Sequence, residues 1–490
     1  MKKYDVIIIG AGLGGLECGY ILSKKGYNVC ILEKHFQVGG CLQTFKRGAT
    51  TFDTGFHFVG GLSDGQPLNR LFKYFDLMEL PWQKLDDKAF AEVILNGESY
   101  NLAQGYDAFV ESLTQKFPHQ RQELKNYVSL LSNVEKNIES IFDIKAGEEH
   151  KASDYFGQSA YQFLNDNFSD KKLIDVVSGA SLTMELSPDT LPLYVFAQIN
   201  NSFIKSSWRL KNGGDQIAKS LVANIEKMGG TVITNAEVTN LEEVDGKITA
   251  VEFNDEKISA DYVISNLHPT ATINLIKESK VIKRIYRNRM NGLENTFGMF
   301  TAHLSLKSNT ERYQNKNIFV YSDSPWNVLE NTKNNRLSSA LISSQVPSDG
   351  VYTNNIDILT PISWNEVSAW ESTSIGRRGE DYKAFKEKKI NELLDFVSER
   401  MPSLKSNIDK VYSSSPLTYR DYTGTVNGSA YGIQKDFSRP LQTILTPNTP
   451  IENLLLTGQN LNLHGILGVT MTSLFTSAKI VGLENIVKDI

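Results

Sequence analysis

The chain has 490 residues, 40% of them hydrophobic and 22% charged, which is enough for two or more domains of about 150 residues around a large core and excludes a peptide or a wholly disordered chain. With 51 Lys and Arg against 56 Asp and Glu the formal charge is −5, so no global positive field draws it to nucleic acid. Three cysteines without paired spacing and seven scattered histidines exclude a disulfide scaffold and supply no zinc pattern, so no metal site is expected.

The N-terminal MKKYDVIIIG carries only a short apolar run, unlike a signal peptide. No stretch reaches the about 18 apolar residues of a membrane-spanning helix, and a cytoplasmic location is expected. The residues from Tyr4 to Ile9 predict a strand buried on both faces. GAGLGG follows, then a helical pattern from Gly14 to about Lys25 with Gly26 placed to end it, then a second strand, NVCIL, that runs into Glu33. This is a complete βαβ unit. Gly10, Gly12 and Gly15 fit G-x-G-x-x-G, with Leu13 and Gly14 inside the motif. Gly10 permits the tight turn, Gly12 lets backbone N–H groups approach a pyrophosphate, and Gly15 allows close helix packing. Glu33 stands where a carboxylate meets an adenosine ribose diol, so a dinucleotide is expected.

Gly39 and Gly40 supply a second place for close backbone approach to a phosphate. Between about Gly65 and Lys205 the texture turns to long helical segments such as YDAFVESLTQKF and QRQELKNYVSLLSNVEKNIESIF, which predict an inserted helical region. Within it, the apolar run from Leu191 to Ile204 reads as core, as a substrate wall or as a membrane-dipping helix. After Gly213 and Gly214 a helix, DQIAKSLVANIEKM, leads into a strand meander that ends near Asn266. From about Pro269 to Pro450 the pattern is mixed, with ENTFGMFTAHLSL as a strand and a charged helix from about Glu380 to Met401. IENLLLTG, residues 451 to 458, is again a strand ending in glycine, and a second helix begins near Gly468. A helix N-terminus there can stabilise charge on the N1–C2=O edge of a reduced flavin, a need that a nicotinamide site lacks.

Three runs together, EKHFQVGGCLQTFKRGATTFDTGFHFVGG, YTGTVNGSAYGI and TGQNLNLHGILGV, resemble the retinol saturase branch of the phytoene desaturase and carotenoid isomerase flavoproteins. The resemblance implies an α/β protein with a Rossmann-type, glutathione reductase-like FAD-binding lobe and an interleaved mixed-sheet and helical substrate lobe. The FAD lobe would comprise residues 1–70, 205–270 and 450–490, and the substrate lobe residues 71–204 and 271–449. It also implies non-covalent FAD. Gly10, Gly12, Leu13, Gly14 and Gly15 would hold the pyrophosphate, Glu33 the ribose, Gly40 the phosphates and the Val238 backbone the adenine. Gly458 and Gln459 would meet the pyrophosphate or ribityl chain, and Gly468 and Val469 the flavin ring. Two positions depart from the wider pattern: Cys41 stands where many relatives, amine oxidases included, have Arg, and Gln459 where many have an acid.

The resemblance places His57, in FDTGFHFVGG, near the isoalloxazine, where it is the candidate catalytic group; the alternative is a structural histidine. His464 reads as a cofactor-loop contact or a structural histidine, Tyr422 and Tyr431 as channel lining or core, and Cys41 as a small neighbour of the doublet rather than a reactive thiol. The implied reaction is redox chemistry at a C=C or CH–CH bond of a carotenoid or retinoid, with a retinol saturase-like reductase favoured over a desaturase or cis-trans isomerase. A non-catalytic prenyl-protein escort is the alternative of another class, and an amine oxidase a minor one. NAD(P)H is the candidate external reductant. A hydrophobic small molecule is the expected partner, with peripheral membrane contact through an apolar lip on the helical insert, and no nucleic acid.

Overall fold

A computed structural model describes residues 2–143 and 154–490; His150 lies outside the described residues. The first sheet has seven strands, in the order Thr231–Ile233, Val29–Leu32, Lys2–Ile9, Glu256–Ser265, Lys247–Phe253 and Val238–Val244, with Leu454–Leu456 paired to the end of Glu256–Ser265. Pairing is parallel from Thr231–Ile233 through Leu454–Leu456, and antiparallel where Lys247–Phe253 and Val238–Val244 form the meander. The long strand Glu256–Ser265 accounts for the branch: Ile258 faces the meander at Val251, while Val263 to Ser265 face Leu454 to Leu456. Val6, Ile7, Ile8, Val29, Ile31, Val263 and Ile264 are completely buried, as the unbroken β-branched runs require when both faces are covered.

One face carries helices Leu13–Lys24, Asp215–Lys227 and Gly465–Val481. Gly19 lets the first of these settle on the sheet, since a Cβ there would press on Ile31 and Ile225.

A second seven-stranded sheet runs Ile408–Ser414, Gly298–Leu306, Asn355–Ile362, Ser339–Ser344, Asn317–Tyr321, Ala91–Leu95 and Glu98–Leu102. Helices Tyr106–Thr114, Arg121–Glu139 and Leu193–Lys205 pack together beside it. A three-stranded sheet of Val59–Gly60, Ser207–Leu210 and Trp82–Lys84 joins chain segments on either side of residue 70.

The region from 65 to 205 is not purely helical. Trp82–Lys84, Ala91–Leu95 and Glu98–Leu102 are strands, the last two joined by Asn96 and Gly97 with φ of 50° and 82°. Both residues adopt the left-handed conformation that a tight two-residue hairpin demands. The charged helix is Gly379–Phe396, shorter than expected at its C-terminal end. Leu191–Ile204 folds largely as helix Leu193–Lys205, with Leu193, Phe196, Ala197 and Ile204 buried, so the membrane-dipping reading of this run is wrong. The exposed large hydrophobic residues are Phe36, Val244, Ile285, Val351, Ile375, Tyr422 and Leu441, and none lies in the described part of the helical insert.

Candidate functional site

The strand Lys2–Ile9 delivers the chain to Gly10, whose φ of 95° turns it at once into the helix that starts at Leu13. A Cβ on Gly15 would collide with the Gly10 carbonyl, so the third glycine of the motif serves helix packing and does not line the cavity. The N-cap Gly12 offers no side-chain bond and the first turn holds no acid, which leaves the helix N–H groups and their positive potential for an anion. Glu33 is buried at the end of Val29–Leu32; the Ala11 N–H donates to its Oε2 at 2.8 Å and the His35 N–H to its Oε1 at 2.9 Å. Both bonds aim the carboxylate and leave it further lone pairs for hydroxyl donors.

Gly39, with φ 109°, donates from its N–H to the Ala11 carbonyl at 2.8 Å and pairs with Gly12, which brings the glycine doublet beside the first glycine turn. Gly458, φ 93°, closes the other side.

Asn266, just past the strand Glu256–Ser265, fills the space these turns leave open. A Cβ on Gly12 would lie 2.8 Å from its Nδ2 and one on Gly14 2.9 Å from its Oδ1, and one on Gly458 would strike the same Oδ1. Nothing in the glycine spacing marks Asn266. The signal available was its place at the end of the strand meander; the structure sets that strand beside Lys2–Ile9, so Asn266 stands at the carboxyl edge where open α/β sheets bind ligands.

A single cavity of about 520 Å³ is lined by Gly10, Gly12, Leu13, Gly14, Glu33, Gly40, Val238, Gly458, Gln459 and Val469, and it also reaches His57, Tyr422, Tyr431, His464 and Cys41. Among the expected site residues Gly15 and Gly468 do not line it. Gly468 was expected at the ring and at the start of a helix. The helix instead begins at Gly465, whose φ is 75°, and a Cβ on Gly468 would collide with the Leu463 carbonyl. Gly465, Ile466 and Leu467 occupy the cavity wall in its place. This second helix also lacks a side-chain cap and a first-turn acid.

The glycine end holds the charged lining residues Glu33, Lys34 and Glu237, and Asn266 reaches the same end. The far end is walled by Phe58, Ile199, Phe203, Met299, Leu341 and Leu359, without a charged side chain among its described residues. Four lining residues carry a buried polar atom that no protein group satisfies: His57 Nε2, Thr183 Oγ1, Thr425 Oγ1 and Ser429 Oγ. Unpaired buried polar atoms are costly, so a ligand that supplies partners gains from filling this space. Two uncapped helix N-termini, a ribose-ready carboxylate, a glycine cradle and a volume within the about 300–1,000 Å³ of cofactor clefts fit a flavin dinucleotide.

Burial lowers the His57 pKa to about 4, so its ring is neutral at pH 7. His464 is lowered to about 4 by the same cause, and its Nε2 donates to the Thr183 carbonyl at 3.1 Å while its ring lies 4.9 Å from that of Tyr431. Tyr431 donates to the Leu182 carbonyl at 3.0 Å and Tyr419 to the Thr54 carbonyl at 3.3 Å, and burial pushes both phenols above their ordinary range. Burial lifts the Cys41 thiol to about 11, so it stays protonated and is no nucleophile at neutral pH. Tyr422 stands at the surface, 36% exposed, with its ring against His35.

Behind the wall lie groups the sequence did not single out. Asp53 accepts from the Gly214 N–H at 2.7 Å and from Gln345 at 2.6 Å, and burial raises its pKa to about 7. His303 pairs with Asp357 at 2.7 Å. Lys435 is buried and donates from Nζ to the carbonyls of Thr443, Asn460 and Leu461 at 2.8 to 3.0 Å, which pins the turn after Gly458 and Gln459. Among the described residues no group of three or more His, Cys, Asp or Glu is placed to hold a metal, and no helix is long and apolar enough to cross a membrane.

The model of the flavin containing amine oxidoreductase family matches residues 13–310. The chain is 26% identical to an all-trans-retinol 13,14-reductase from Danio rerio, over 98% of this chain and 86% of that one. It is 22% identical to a prolycopene isomerase from an Oncidium hybrid cultivar, over 94% and 80%. Among solved structures it is similar to an oxidoreductase from Methanosarcina mazei, with TM-score 0.64, 18% identity and coverage of 96% and 98%.

Proposed function

Because the chain belongs to the flavin containing amine oxidoreductase family, we propose that this FAD-dependent oxidoreductase saturates a C=C bond of a hydrophobic polyene, a retinoid in the first instance. The observation that carries the reading is one cavity that runs from a dinucleotide cradle into an apolar wall without a carboxylate. An amine substrate would meet no counter-charge there, whereas a long conjugated hydrocarbon loses little by leaving water. The relatives named for retinol reduction and for prolycopene isomerisation support the same substrate class.

FAD, when bound, supplies the hydride chemistry. The glycine turns and the helix starting at Leu13 would hold its pyrophosphate, Glu33 its ribose, and the helix starting at Gly465 the pole of its ring. The apolar wall excludes water and fixes the polyene lengthwise. His57 Nε2, buried, neutral and unpartnered, would hold by hydrogen bond the water that gives the second carbon its proton, the hydroxide left behind being neutralised from solvent. Tyr419 and Tyr431 already spend their hydroxyl protons on backbone carbonyls. NAD(P)H is the proposed reductant; with one dinucleotide cradle in the cavity, it would act as an external, diffusing donor.

The test is anaerobic incubation of the chemically reduced holoenzyme with all-trans-retinol and with lycopene isomers, followed by product mass. A gain of two hydrogens is expected with retinol. Unchanged mass with shifted absorbance would identify an isomerase, and no reaction with either polyene would overturn the substrate class. A purified protein that is colourless and takes up no added FAD would favour the escort alternative.

A further inference from the structure

Within a chain of net charge −5, residues 277–289 hold six cations, Lys277, Lys280, Lys283, Arg284, Arg287 and Arg289, against one acid, Glu278. The helix Arg284–Asn291 carries three of these cations, with Lys283 as its N-cap, and Ile285 on it is 78% exposed. Arg289, one turn along the same face, donates to the Leu441 carbonyl at 2.9 Å, and Leu441 is 88% exposed. Arg289 thus bridges the two segments that carry these bare aliphatic side chains, with Lys283 and Arg284 next to Ile285, while Arg439 near Leu441 is paired with Asp436 at 2.8 Å. Arg287 is spent inward on the carbonyls of Ile273 and Ile276, whereas Lys277, Lys280, Lys283 and Arg284 are exposed.

One arm of the patch leads to the substrate side of the cavity and the other to its glycine end. The chain from Leu441 back to Tyr431 passes Phe437, whose N–H donates to the Thr190 carbonyl at 2.9 Å, and ends on the wall. The helix Arg284–Asn291 packs on Pro269–Asn274, where Ala271 lines the cavity, with Leu275 just beyond.

We propose that this surface docks the enzyme on an anionic lipid bilayer, with Ile285 and Leu441 entering the headgroup layer and the cations meeting lipid phosphates. Basic residues around exposed aliphatic tips are the combination that holds a protein in the plane of a charged membrane. A soluble acidic partner would match the charge but would not require two isolated aliphatic tips. The inference deepens the polyene reading, since a membrane-dissolved substrate must be reached from the bilayer surface.

The experiment is flotation of the holoenzyme, without polyene, on vesicles of phosphatidylcholine alone and with a quarter of phosphatidylserine. Expected is flotation with the anionic vesicles, lost at high salt and lowered at least fivefold by Ile285→Asp with Leu441→Asp or by Lys283→Glu with Arg284→Glu. Absence of flotation on anionic vesicles, or flotation that both pairs leave unchanged, would overturn the assignment. So would a dimer in sedimentation that the Ile285→Asp, Leu441→Asp pair dissolves without any lipid binding, which gives the face to a second copy. Because flotation is scored without substrate, a failed docking surface and a failed substrate class are told apart. Detergent-dispersed polyene should be turned over equally by the variants and the parent.

Discussion

His57 presents a neutral ring and an unsatisfied Nε2 to the cavity, so its removal probes proton delivery without touching the cradle that holds the flavin. His57→Gln is expected to keep full flavin content by absorbance while turnover falls by about 100-fold or more, the usual yield of a positioned proton transfer, direct or through one water, being about 10²–10⁴. Loss of flavin along with turnover would instead mark a structural histidine.

Glu17 acts on stability. It is completely buried between the helices Leu13–Lys24 and Gly465–Val481, where Thr470 donates to it at 2.7 Å and Ser473 at 2.9 Å. Burial raises its pKa from 4.5 to about 8. In that window the unfolded chain gives up the proton and the folded chain keeps it, so this contribution is full below pH 4.5 and is lost as pH rises toward 8. Glu17→Gln has no such slope. Its stability relative to the parent should grow by about 1.4 kcal/mol per pH unit across the window, measured by denaturant titration at several pH values. A gap that stays constant with pH would show Glu17 ionised in the folded state. The first glycine turn was legible from spacing, and His57 through the resemblance of its segment. Glu17 and Asn266 were not, because their roles depend on helices and turns brought together from distant parts of the chain.

At the scale of elements, the helix Leu193–Lys205 serves both core and site: Phe196 and Ala197 face the interior while Gln198, Ile199, Ser202 and Phe203 line the cavity. Gly60 lets it lie close, since a Cβ there would strike the Ser202 backbone. Ile199→Trp should therefore narrow the apolar end at a stability cost of about 1–3 kcal/mol, raising KM for a long polyene tenfold or more with flavin content unchanged. An unaltered KM would remove this helix from the substrate wall. Its helical period was readable, but its inward orientation is set by the small sheet that joins Val59–Gly60 to Ser207–Leu210 and Trp82–Lys84. The hairpin of Ala91–Leu95 and Glu98–Leu102 was readable in principle from its Asn-Gly turn; the neighbouring helical runs masked a segment too short to show a period of its own.

Across the whole molecule the α/β alternation and the glycine turns disclosed the first sheet, whereas the second sheet pairs strands separated by hundreds of residues, such as Asn317–Tyr321 with Ala91–Leu95, and no local pattern encodes that partnership. Phe58, Tyr419 and Leu463 share one buried cluster with the insert helices, so the cofactor loops and the apolar wall are packed as one body. Heating should accordingly produce one transition, with flavin release and loss of ellipticity at the same temperature. Two separated transitions would show that the lobes melt independently.

The strand Glu256–Ser265 gains its last neighbour, Leu454–Leu456, from a segment about 190 residues further on, which at about 5–20 residues per second reaches the ribosome's exit some 10–40 s later. Until then Val263 to Ser265 lack that partner, and the helix beginning at Gly465 does not exist. Flavin capture must therefore wait until this late segment has emerged and paired, so the pool of free flavin met from then on, rather than the earlier course of translation, governs how much of the protein matures.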